Sequence, residues 1–256
     1  MVRLAEVPRP FVVGVVVERD AAAARRAALA AFRDGAGAVE LNLAALADDE
    51  RLPRGFFAGL PGPVYTSCRR APFMRVYGAK FARVPVRGEE TRMALQMSAL
   101  AAGSAGLDLE ADAYAPSPDE WTRDRRALCR QAEVVTGAHR AGKAVIYSWH
   151  PGRKLRWAEA VRAMQALRAR GADFVKVVER VRGVDEALDS VRLSLRLRDR
   201  CDFPFVFLPL GPGAEQVRPY MTAFGAAYLL ARPPVGSNRL PAQPPVARAR
   251  ALVNLA

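Results

Sequence analysis

Few residue types in this chain can do chemistry, and one of them sits where it is costly. In GADFVKVVER the period-2 alternation of a strand puts Phe174, Lys176 and Val178 on one face, so an amine lies inside an otherwise apolar strand. A buried ammonium loses several kcal/mol of hydration, which leaves two outcomes. Either an acid such as Glu179 or Glu110 pairs with it, or its tip snorkels out, and the lysine is structural. Otherwise its pKa falls toward neutrality and the amine becomes a nucleophile.

Other strands converge on the second outcome. VIYSWH aligns Ile146, Ser148 and His150 on one face, 26 residues before Lys176, so the two groups fall at equivalent places on successive strands. AVELNL sets Glu40 and Asn42 on a shared face, and LDLEA does the same for Asp108 and Glu110 while Leu107 and Leu109 pack outward. A buried lysine beside one imidazole and flanking carboxylates suits Schiff-base catalysis on a small anionic keto substrate. The amine condenses with a ketone, the iminium acidifies the adjacent C–H, and the imidazole shuttles the proton.

The elements that must position these groups are short β-branched or aromatic runs separated by Ala/Arg/Leu stretches. They begin near Phe11, Ala38, Val64, Leu107, Ala144, Phe174, Pro204 and Ala227. Their spacing fits eight strand-plus-helix units, two of them with long connections. Eight such units fill about 250 residues, so the expected fold is α/β, a single-domain (β/α)8 TIM barrel spanning residues 1–256, with a doubly wound open sheet as runner-up. In a parallel barrel the carboxyl ends of the strands line one pocket. Helix signals agree: Asp20 caps a helix that Gly35 and Gly37 stop, Pro118 and Asp119 open one running toward Ala141, and Gly171 closes RWAEAVRAMQALRAR.

Composition excludes several classes. With 256 residues, 51% of them hydrophobic, the chain can bury a large core. The run Phe11 to Val17 is far shorter than the ~18 to 20 residues of a membrane span. The opening MVRLAEVPRP breaks at Pro8 and Pro10, too early for a secretory signal, so the expected compartment is the cytoplasm. A net charge of +13 invites nucleic acid, but the 35 Arg and 4 Lys are scattered among acids, and VRLSLRLRDR reads as a solvated helix face. No nucleic-acid or membrane partner is expected. Cys68, Cys129 and Cys201 lie far apart and read as small buried hydrophobes rather than disulfides or metal ligands. Two histidines cannot build a His-rich metal cluster, and no Gly-x-Gly-x-x-Gly or Gly-Lys-Ser/Thr follows a strand, so neither metal nor nucleotide cofactor is expected.

These residues resemble the type I 3-dehydroquinate dehydratase family of the shikimate pathway over most of the chain. GAGAVELNLAAL is similar to that family's second strand, TSCRR to its third with a substrate-facing Arg, and GLDLEADAY to its Asp-x-Glu fourth strand. VIYSWH resembles the Ser-aromatic-His fifth strand and GADFVKVV the strand bearing the imine-forming lysine. LGPGAEQVRPYMTAFGAAYLL resembles the seventh-strand loop, and SNRLPAQPP the closing Pro-Gly-Gln segment. The resemblance implies that Lys176 forms the imine and His150 acts as general base and then acid. It also implies that Arg218 holds the substrate carboxylate or hydroxyls, that Gln243 and Ser237 lie on the closing loop, and that Glu40, Asn42, Arg69 and Asp108 contact the substrate's ring. The implied reaction removes water from 3-dehydroquinate without cofactor or metal, in a homodimer.

The chain also departs from that pattern. Asn42 stands where the family has Arg, and Pro151 follows the histidine where the family has Asp. The Glu of a Glu-Gly-Gly turn that orients the family's catalytic histidine is replaced by Phe73 or Met74. Counting back from Gln243 puts Arg239 at the family's Ser, with Ser237 nearby. Loss of the orienting Glu predicts weakened dehydration. Arg70, Arg75 and Lys80 crowd residues 68–88, the expected lid, and could reshape the pocket for another anion. A dehydratase is therefore weighed against an imine-forming lyase or aldolase on another β-hydroxy ketone or keto acid, and against an inactive homologue that binds a ligand or partner.

Overall fold

Each β-branched run forms a buried parallel strand in the computed structural model, which describes residues 3–47 and 52–254. The strands are β1 (Phe11–Val16), β2 (Ala38–Asn42), β3 (Val64–Ser67), β4 (Gly106–Glu110), β5 (Ala144–Trp149), β6 (Phe174–Arg180), β7 (Phe205–Leu210) and β8 (Tyr228–Ala231). All begin within one residue of the starts read from the sequence. Their order, β7-β6-β5-β4-β3-β2-β1-β8, is that of an eight-stranded barrel. At the seam between β7 and β8 the Ala227 N–H donates to the Phe205 carbonyl at 2.7 Å. The fold is a nearly closed (β/α)8 barrel.

The helices are α1 (Ala21–Arg33), α2 (Glu89–Ala101), α3 (Arg125–Arg140), α4 (Trp157–Ala169), α5 (Val184–Arg198), the single-turn α6 (Ala214–Val217) and α7 (Val246–Val253). Asp20 caps α1 as expected, its carboxylate accepting from the Ala23 N–H at 2.7 Å. Between β2 and β3 the described residues hold only a 3₁₀ turn (Leu43–Ala45) instead of an α-helix. Pro53, Gly55, Gly59, Pro61, Gly62 and Pro63 explain that departure, since none of them favours a helix interior.

A second departure matters more for the site. The helix expected to open at Pro118 begins at Arg125, because Asp124 rather than Asp119 is its cap and accepts from the Ala127 N–H at 2.8 Å. Residues 117–124 form a loop instead. The Ser117 N–H donates to Asp112 at 2.9 Å, the Trp121 N–H donates to the Ser117 hydroxyl at 2.8 Å, and the Trp149 indole donates to the Asp119 carbonyl at 2.6 Å. Within this clamp Glu120 takes a left-handed conformation with φ of 53°. Cys129, expected to be buried, lies exposed on α3, whereas Cys68 is buried.

The barrel interior is layered. Near the amino ends of the strands Phe11, Phe174 and Tyr228 pack together with ring centroids 5.4 to 6.3 Å apart. Alternate residues face outward, so Leu107, Leu109, Val145, Tyr147, Val175 and Val177 form a second apolar cluster with residues of the surrounding helices. One step further along β4, β5 and β6, the inward positions become polar.

Candidate active site

Strand register brings the polar residues together. Ser148 is level with Lys176, Glu110 with Ser148, and Glu40 with Tyr65. Lys176, 3% exposed, directs its Nζ to Asp108 Oδ2 at 2.9 Å and to Glu40 Oε2 at 3.5 Å. The amine is therefore acid-paired, contrary to the unpaired lysine expected, and its partners are Asp108 and Glu40 rather than Glu179 or Glu110, so its reactivity must come through those carboxylates. Glu179 has the opposite strand parity, faces the helices, and is held by Lys154, the Ser190 hydroxyl and the Leu155 N–H. Glu110 is bound by Arg69 at 3.0 Å and by Arg92.

Arg69, just past β3, ties the cluster together. Its guanidinium donates to Asp108 at 2.7 Å, to Glu110 at 3.0 Å and to the Ser148 hydroxyl at 3.0 Å. Glu40 accepts from the Tyr65 hydroxyl at 2.9 Å and the Ser67 hydroxyl at 2.7 Å. Three buried cations, Lys176, Arg69 and Arg92, thus face three buried carboxylates, Glu40, Asp108 and Glu110. Matching charges in this way satisfies groups whose isolated burial would be strongly unfavourable. Burial pushes the Asp108 carboxyl up, but Arg69 and Lys176 outweigh it and hold the group at about 2.

His150, one residue past β5, is buried among this charge. Burial drives its imidazole well below the usual range, and Arg69 and Lys176 push the same way, so it stands as a neutral base at ordinary pH. Phe73 packs edge-on against its ring at 5.3 Å, and Met74 is buried against the Asn42 amide. No carboxylate comes from that segment. One comes from elsewhere: Glu120 Oε2 lies 3.3 Å from His150 Nδ1, while Arg69 Nη1 lies 3.4 Å from the same nitrogen. The Pro118–Asp119 helix signal places Glu120 inside a helix, whereas it lies in the loop before α3.

Lys176, His150, Arg69, Arg218 and Gln243 line one cavity with Phe73, Tyr77 and Leu240 at the carboxyl ends of the strands. About 20 Å³ of it is open to the centre of a water molecule. Gly211, with φ of 134°, turns the chain out of β7 so closely past Val181 that an added Cβ would lie 2.1 Å from its carbonyl oxygen. That turn leads through α6 to Arg218. The Arg218 guanidinium is buried, donates to the Pro209 carbonyl at 3.2 Å and has no carboxylate partner among the described residues, so burial lowers its pKa to about 10. It is the cation most available to an incoming anion. A larger cleft of about 390 Å³, lined by Arg9, Arg198 and Phe203, lies at the amino ends of the strands, away from this chemistry.

Other residues singled out in the sequence lie outside the cavity. Glu40 and Asp108 sit beneath it as partners of Lys176, and Asn42 caps the 3₁₀ turn after β2 through the Ala44 N–H at 3.1 Å. Ser237 donates to Glu18 at 2.7 Å and accepts from Lys80. Arg70 is held by Glu89 and Asp112 at 2.9 Å, and Arg75 and Lys80 are exposed, so these three bases do not line the pocket. Glu110, Glu120 and His150 bring possible metal-ligand atoms within 4.8 Å of one another. Both Glu110 oxygens are already engaged by guanidinium groups, which disfavours a cation there.

Fold and site define the class: a (β/α)8 barrel with a buried lysine and imidazole at the carboxyl mouth. The family model of type I 3-dehydroquinase matches residues 15–256, and the chain belongs to that family, a family of hydro-lyases, with a 3-dehydroquinate dehydratase-like function. No curated protein matches the sequence. Among solved structures it is similar to 3-dehydroquinate dehydratase from Geobacillus kaustophilus HTA426, with 18% identity and a TM-score of 0.74 over 99% of this chain and 95% of that one. The type I enzyme from Clostridium difficile, solved with covalently modified comenic acid, gives 15% identity and a TM-score of 0.76 over 100% and 98%. The Enterococcus faecalis enzyme gives 17% and 0.75 over 100% and 99%. At these identities the likeness is one of fold. Among the described residues no helix is long and apolar enough to cross a membrane.

Proposed function

We propose that the chain converts 3-dehydroquinate to 3-dehydroshikimate and water through an imine on Lys176. The observation that carries this reading is the buried Lys176 amine sharing a cavity with a neutral His150. Asp108 or Glu40 takes one ammonium proton, the freed amine adds to the substrate ketone, and that proton leaves with the hydroxyl as water, so the iminium is positive as the ammonium was. Asp108 and Glu40, which pair with the ammonium, can therefore pair with the iminium too. The iminium draws electrons from the adjacent C–H, His150 takes that proton, and an enamine forms. The resulting imidazolium returns the proton to the departing β-hydroxyl, water leaves, and a second water hydrolyses the conjugated iminium to free product and lysine. The imine is itself the electron sink, so the scheme needs no cofactor or metal.

Arg218, buried without an acid, would receive the substrate carboxylate, and Gln243 with residues of the 68–88 lid would cover the ring. On the same reading the protein acts in the cytoplasm as a homodimer. Sodium borohydride added with 3-dehydroquinate tests the mechanism by mass spectrometry. The expected result is turnover together with a reduced adduct on Lys176. Turnover without trapping, or an adduct on another residue, would overturn it.

A further inference from the structure

Nδ1 of His150 lies between two groups with opposite demands. Arg69 Nη1, at 3.4 Å, can only donate, and so favours the tautomer with bare Nδ1 and a proton on Nε2. Glu120 Oε2, at 3.3 Å, can only accept when ionised, and so favours a proton on Nδ1. The first tautomer cannot act as a base through Nε2, and the second can. Arg69 is largely committed to Asp108, Glu110 and Ser148. Glu120 Oε2 is buried and has no hydrogen-bond partner, so the imidazole N–H is the donor it lacks. Its backbone is held in the left-handed region, unusual for a glutamate, by a loop fastened to Asp112, Ser117 and Trp149.

We infer that Glu120 is the positioning residue for His150, fixing the Nδ1–H tautomer and stabilising the imidazolium formed when Nε2 takes the substrate proton. This rests on His150 being the base proposed above. The carboxylate enters from the loop after β4, whereas the segment after β3 contributes Phe73 against the ring. The charged groups facing the imidazole are Arg69 after β3, Asp108 and Glu110 on β4, Lys176 on β6 and Arg218 after β7. Burial raises the Glu120 pKa while Arg69, Arg70 and Arg92 oppose it, so the carboxyl also has a titration of its own to report.

Glu120→Gln tests the assignment. The chain has two histidines, and His139→Gln identifies the imidazole signals. In the unliganded protein, nitrogen NMR of His150 should show the proton on Nδ1, and Glu120→Gln should shift the population toward the Nε2–H form and lower the imidazole pKa. In kinetics kcat should fall by about 10²- to 10⁴-fold with KM changed less than about threefold. The acid limb of kcat/KM should move to lower pH, because a lost carboxylate no longer favours the imidazolium. Glu120→Asp should recover part of the rate. Glu120→Gly, which relieves the left-handed backbone, should keep or raise the melting temperature while losing the same rate. An unchanged tautomer and acid limb in Glu120→Gln, or full activity in Glu120→Gly, would overturn the inference. The NMR readout needs no turnover, so a protein inactive on 3-dehydroquinate would sink the proposed reaction and leave the role of Glu120 to be decided separately.

Discussion

Two levels of the same barrel differ sharply in what they contain. At the amino ends Phe11, Phe174 and Tyr228 close an apolar plug, with Ile146 on the same inner face of β5. Two residues on, along the same strands, Lys176 follows Phe174 and Ser148 follows Ile146, and the interior becomes a balanced set of charges. The plug needs only volume and apolar surface. The charged level needs every donor and acceptor matched, because an unmatched buried charge is far costlier than a poorly filled cavity. One strand thus supplies cohesion at one end and reactivity at the other, two positions apart.

Adjacent inward residues on β6 give the sharpest test of that contrast. Lys176→Met should abolish turnover, by about four orders of magnitude or more, and abolish borohydride trapping. It should also destabilise the fold, because Glu40 is left without the ammonium it faces even though Asp108 keeps Arg69 at 2.7 Å. Phe174→Ala should spare the chemistry, costing about 3–5 kcal/mol in urea unfolding while the folded fraction keeps kcat within about fivefold. If Phe174→Ala removes activity at temperatures where it stays folded, the two levels are not separable.

Acid should act on the charged level and leave the apolar plug alone. Asp108 titrates at about 2 in the folded protein, below its usual value of 3.8, so it stabilises the fold above pH 4. That contribution, on the order of 2 kcal/mol, should fade as pH falls from 4 through 2. Urea unfolding of wild type against Asp108→Asn across that window should show the difference closing; a constant difference would mean the charges are not coupled to folding. The smallest effect is expected at the rim. Ser237 is bound to Glu18 and Lys80, so Ser237→Ala should leave KM within about twofold, and a larger rise would bring the hydroxyl back into the substrate site.

The strands were legible because buried parallel strands read as short apolar runs, and the polar residues that interrupt them announce themselves. Lys176, His150 and Asp108 stand out in that way. Strand parity carries more: Glu179 lies three positions from Lys176 and so faces the helices, which excludes it as a partner. Glu120 was harder to see. Pro118 and Asp119 look like a helix start, and the choice of Asp124 as cap depends on tertiary bonds from Asp112 and Trp149. Nothing local predicts a glutamate with φ of 53°. Ser237 and Arg70 show the same limit, since both are bound by acids distant in sequence, Glu18 and Asp112.

The cavity at the carboxyl mouth has room for little more than a water molecule. A six-membered carbocycle does not fit in that space unless side chains among Leu240, Gln243, Phe73 and Tyr77 shift. Substitutions at those four side chains would then change entry and release while leaving Lys176 and His150 untouched.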